Sequence, residues 1–199
     1  MSSREKILSR VKANKPPQVP LPEAVAFFTP PSEQWAALFR QSAEAAGSIV
    51  VGVPDMAGIG AYLKDNFVSP ERILNTVDGV GFGLEVREAI AEGHHLANLE
   101  LAVVEGQMGV AENGAIWVTE ESVPARVLPF ICEHLALVVR QQDIVGTMHE
   151  AYDRLNIAAT GYGTFIAGPS RTADIEQSLV IGAHGPKRMH VFILDNQHP

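Results

Sequence analysis

Short apolar runs recur along the chain and are separated by longer stretches in which apolar residues return every three or four positions. SIVVGV at 48–53, RILNTV at 72–77, LELAVVEG at 99–106, AIWVTE at 115–120, HLALVVR at 134–140, GYGTFIAG at 161–168 and RMHVFIL at 188–194 read as strands. Between them lie helical patterns. SEQWAALFRQSAEAAG at 32–47 predicts a helix capped by Ser32 and ended by Gly47, with Trp35, Leu38 and Phe39 turned inward. DMAGIGAYLKDNF predicts a helix capped by Asp55, GLEVREAIAEGHH a helix over 83–92, and QQDIVGTMHEAYDRLN a helix following the 134–140 strand. Asn113-Gly114 marks a turn ahead of AIWVTE.

Strands separated repeatedly by helices predict an α/β fold with a mainly parallel or mixed sheet flanked by helices. At the N-terminus, REKILSRVKAN places Ile7, Leu8 and Val11 on one stripe of a short helix. Prolines 16, 17, 20 and 22 then impose an extended arm. The expectation is an arm packed locally, with partner docking as the alternative. Residues 1–31 are therefore read as helix and arm, and 32–199 as a single α/β domain.

Charge and composition narrow the function classes. A net charge of −8 and pI near 5.3 disfavour attraction to nucleic acid or an anionic lipid surface. No apolar run approaches the roughly 18–20 residues of a membrane span, and the opening residues lack a secretory signal pattern, so a cytoplasmic protein is expected. Cys132 is the single cysteine, too few for the usual Cys₄ iron–sulfur ligation.

Familiar catalytic patterns are incomplete. GIGAYL and GVGFGL are fragments of a dinucleotide loop, and the phosphate-loop spacing is absent. Ser170 with His184 lacks the strained turn of a serine hydrolase. His94 and His95 are adjacent and cannot share a face, whereas His184, His190, Asp174 and Glu176 meet only if tertiary folding brings them together.

The densest polar stretch is GPSRTADIEQSLVIGAHGP at 168–186. Thr172 is placed to cap a helix beginning TADIEQ, with Asp174 and Glu176 in its first turn and Arg171 able to pair with Asp174. The segment also follows an apolar strand, where ligand loops gather. In that reading Arg171 holds a carboxylate or phosphate and Ser170 and Thr172 orient it. Both readings stay open on the residues alone.

These words closely resemble the C-terminal signature of the lactate-utilization protein C (LutC/YkgG) family, which carries the LUD domain. GVAENGAIWVTE at 109–120 resembles the family's glycine-turn segment, although Asn113-Gly114-Ala115 stands where members often have a Thr-Gly-Thr-like turn. The resemblance implies a fold similar to the sugar-phosphate isomerase and CoA-transferase-like superfamily. It also implies a role in oxidising L-lactate to pyruvate with partner proteins that carry iron–sulfur clusters, no cofactor being bound by this chain. Glu112 matches an acidic position and is the candidate general base. Asn113, Gly114, Ser170, Arg171, Thr172, Asp174, Glu176 and His184 are the candidate contacts to a small organic acid. Alternatives are an isomerase or acyl-transfer enzyme acting on a small anion, and a non-catalytic assembly protein.

Overall fold

The computed structural model describes residues 2–20, 30–85, 93–172 and 180–195. Its strands are β1 (Ile49–Val53), β2 (Ile73–Asn75), β3 (Leu84–Glu85), β4 (Leu101–Glu105), β5 (Met108–Val110), β6 (Ala115–Thr119), β7 (His134–Arg140), β8 (Ile144–Val145), β9 (Gly163–Ile166), β10 (Arg171–Thr172), β11 (Val180–Ile181) and β12 (Arg188–Leu194). The α-helices are α1 (Ser3–Ala13), α2 (Trp35–Ala45), α3 (Met56–Asn66), α4 (Leu128–Ile131), α5 (Met148–Arg154) and α6 (Ile157–Thr160).

Six strands in the order β1-β12-β7-β4-β2-β3 form the central sheet, and every pairing in it is parallel. The aliphatic runs of β4, β7 and β12 are buried on both faces, as parallel strands under two layers must be. One face, with Leu101, Val103, Ala136, Val138 and Phe192, packs against Ile59 and Leu63 of α3. The other, with Leu135, Leu137, Val139, Val191 and Ile193, packs against Phe39 of α2 and against Ile116 and Val118.

Those last two residues belong to a second, mixed sheet in the order β8-β5-β6-β9. Period-two alternation sends Ile116 and Val118 inward while Trp117, with Met108, Val110 and Val145, meets Ala151 of α5 on the outer side. The layers are therefore α3, the parallel sheet, the mixed sheet with α2, and α5. The mainly parallel α/β expectation is met.

Several local expectations differ. β1 is an edge strand with Ile49 exposed, because only β12 covers its flank. The helix expected over 83–92 begins differently: Gly83 sits at φ 87° and Leu84–Glu85 pairs parallel with β2, while 86–92 lie outside the described residues. The helix expected across 141–156 is shorter. Ile144–Val145 joins β5 as a strand, and a reciprocal cap between Thr147 and Glu150 starts α5 only at Met148. Ser32 makes no side-chain cap; it opens a 3₁₀ turn, Ser32–Gln34, that runs into α2. Asp55 does cap α3, accepting from the Gly58 N–H at 2.8 Å.

Helix α1 carries a capping box between Ser2 and Glu5 but contributes no buried residue. Ile7, Leu8 and Val11 are exposed, so the helix forms as expected but its apolar stripe is not packed.

Candidate functional site

Strands β5 and β8 are parallel, and both β5 and β9 run antiparallel to β6. The C-terminal ends of β5, β8 and β9 consequently share one edge of the mixed sheet. Residues 111–114 leave that edge after β5 and residues 167–170 leave it after β9, so topology brings the two motif-bearing segments together. Helix α2 covers both.

The first segment is a turn held by its own side chain. Asn113 Oδ1 accepts from the Ala115 N–H at 3.0 Å, and Gly114, at φ 69°, donates its N–H to the Val110 carbonyl at 2.8 Å. A Cβ at Gly114 would collide with the backbone nitrogen of Ala43, so glycine lets the turn lie directly on α2. Ser42 Oγ reinforces the contact by donating to the Ala111 carbonyl at 2.8 Å.

Glu112 ties this turn to α5. Its N–H donates to the Gly146 carbonyl at 3.0 Å, and its Oε2 accepts from the Met148 N–H at 2.9 Å. A carboxylate at the first turn of a helix is electrostatically well placed. Glu112 also lines a cleft of about 390 Å³ with Pro30, Leu38, Ser42, Thr147 and His149. Ser42, Thr147 and His149 escaped the sequence reading. The Thr147-x-x-Glu150 capping pattern was the available signal for where α5 starts.

The second segment rests on the end of α2. Gly168, at φ 73°, leaves no room for a Cβ against the Ala46 carbonyl. The Ser170 N–H donates to the Pro186 carbonyl and the Ser170 carbonyl accepts from the Gly182 N–H, each at 2.9 Å. The Arg171 guanidinium lies over Gly47, just past α2, where a cation complements the helix's negative end.

Thr172 pairs in a two-residue strand with Val180, and its hydroxyl donates to the Val180 carbonyl at 3.4 Å. Asp174 and Glu176, with the helix expected to contain them, lie outside the described residues. His184 is exposed and makes no hydrogen bond to Ser170. His190 is buried in β12, remote in sequence from its neighbour His134. Among the described residues no group of three or more His, Cys, Asp or Glu side chains is arranged to hold a metal ion. Cys132 is buried, and that burial pushes its thiol pKa up to about 12, so it is held as a neutral packing group.

This architecture and its glycine turns define an α/β domain whose matches are specific. The family model of the LUD domain matches residues 23–194, and the chain belongs to that family. Lactate utilization protein C of Bacillus pumilus (strain SAFR-032) is 32% identical over 127 residues, covering 58% of this chain and 53% of that one. Lactate utilization protein C of Geobacillus kaustophilus (strain HTA426) is 27% identical over 180 residues, covering 84% and 71%. The uncharacterized protein YkgG of Escherichia coli (strain K12) is 26% identical over 103 residues, covering 49% and 45%. Against the first of these relatives the chain spans about half of their length. The crystal structure of a DUF162 family protein from Deinococcus radiodurans shares the fold with a TM-score of 0.62 at 17% identity, covering 82% of this chain and 98% of that chain.

Proposed function

We propose that this chain is a component of an L-lactate utilization system that oxidises lactate to pyruvate together with iron–sulfur partner proteins. The observation that carries the reading is the LUD match over 23–194, with relatives named lactate utilization protein C. In this reading a small organic acid occupies the cleft between α2 and the 111–114 turn. Ser42, Thr147 and His149 supply polar groups there, and Glu112 holds the start of α5 in place.

Oxidising a hydroxyl to a ketone releases an electron pair, which needs a redox centre. A lone buried thiol held neutral is a poor ligand for one, so the reading puts the clusters on the partners. Co-expression with those partners tests it. Lactate-dependent reduction of an electron acceptor is expected only with the chain present and is expected to fall in folded His149→Ala. Equal reduction without the chain would sink the proposal.

A second reading, isomerase or acyl transfer on a small anion, is favoured by one observation: Glu112 and His149 face the same cleft. It requires turnover by the chain alone that is lost in Glu112→Gln.

A further inference from the structure

The face of the parallel sheet that meets α3 carries an unusual feature at its N-terminal edge. Register places Arg188 beside His134 and His190 beside Ile49, and alternation along β12 puts Arg188 and His190 on one face. A cleft of about 300 Å³ opens there, lined by Tyr62, Phe67, Arg188 and Glu100 together with the two histidines. It shares no lining residue with the first cleft.

His190 is only 5% exposed, and its Nε2 is buried without a hydrogen-bond partner among the described residues. Its Nδ1 meets the Tyr62 hydroxyl at 3.3 Å. His134 likewise has a buried Nδ1 without a partner among the described residues. The two rings stand 6.0 Å apart with a 33° tilt, and neither nitrogen reaches the other ring. Buried polar atoms are nearly always paired, so two unpaired ones on residues that line a single cleft indicate missing partners.

Charge selects the kind of partner. Glu100 is balanced by Arg72 at 3.5 Å, and Glu133 by Lys187 at 3.1 Å and Arg72 at 3.2 Å. Arg188 makes no ion pair among the described residues. A cation is disfavoured by Arg188, and Glu100 does not complete a metal-holding trio with the histidines.

We propose that this cleft is a binding site for a small oxyanion, a carboxylate or a phosphate. Arg188 pairs with the charge, and the imidazole N–H groups and the Tyr62 hydroxyl, whose proton positions a ligand sets, turn to its oxygens. The site is independent of the cleft beneath α2 and of the lactate reading.

The full chain is titrated separately with acetate and with inorganic phosphate, at ionic strength matched by sodium chloride, while imidazole NMR signals are followed. Saturable shifts of His134 and His190, with His94 and His184 unmoved, are expected from at least one probe. Arg188→Gln, a surface change, is expected to weaken binding about tenfold, and Tyr62→Phe more modestly. Response to acetate alone identifies a carboxylate site and response to phosphate alone a phosphate site. Absence of saturation with both, a response reproduced by chloride, or undiminished binding in folded Arg188→Gln overturns the proposal.

Discussion

Two edges of this molecule differ in how their polar groups are spent. At the mixed-sheet edge, where the recognisable segments lie, the polar groups are largely used up internally. Asn113 closes its own turn, Glu112 takes the Met148 N–H, and the Ser170 backbone is bonded to Pro186 and Gly182. At the N-terminal edge of the parallel sheet, where the sequence offers His190 only in a grouping with His184, Asp174 and Glu176, His134 and His190 keep buried nitrogens unpaired among the described residues. A distinctive sequence segment can thus record a packing constraint, while an inconspicuous pair of histidines holds unused hydrogen-bonding capacity.

The glycines give the strongest way to break that contrast. Gly114→Ala must adopt a left-handed backbone and push its Cβ into Ala43, and a loss of about 4 kcal/mol in urea unfolding is expected. A neutral effect would mean that the turn does not depend on close approach to α2.

The histidines give the next largest effect. Burial, followed by the charges of His134 and Arg188, lowers the His190 pKa to about 4. An unfolded histidine titrates near about 6.5, so between these values the unfolded chain binds more protons. Stability is then complete above about 6.5 and falls by on the order of 3 kcal/mol as pH drops through that window to about 4. His134 is lowered too, mainly by burial, and acts in the same direction. Denaturant unfolding of the parent and His190→Gln at pH 4.5 and 7.5 checks this: the variant's pH dependence should be visibly flatter. Parallel curves would place the acid sensitivity elsewhere.

Glu112→Gln sharpens the other side of the comparison. It keeps an acceptor oxygen but removes a charge from the start of α5, for an expected cost of about 0.5–1 kcal/mol in thermal or urea unfolding. Unchanged stability with lost turnover would instead assign Glu112 to chemistry.

Deleting residues 1–20 should have the smallest effect, within about 0.5 kcal/mol, because no residue of α1 is buried. With the fold intact, any weakening of partner assembly would then belong to the exposed Ile7, Leu8 and Val11 stripe.

Much of this architecture was written in local pattern. The long aliphatic runs at 134–140 and 188–194 became β7 and β12 within the same bounds, and Asp55 capped α3 as its spacing required. Misreadings arose where local and long-range demands compete. Ile144 and Val145 suit a helix period as well as a strand, and only pairing with β5 decides between them. Leu84–Glu85 became a strand because Gly83 turns the chain beside Ile73 and β2 offers a parallel partner.

The sequence by itself determined the α/β class, the family resemblance and most strand positions, because periodicity, caps and turn residues act within a few neighbours. Tertiary structure alone decided that the 111–114 and 167–170 segments share an edge under α2. It alone also brought His134 and His190 together across adjacent strands, 56 positions apart in numbering. Strand order and the closing of a core over distant residues are collective outcomes of packing, and no short stretch of chain carries them.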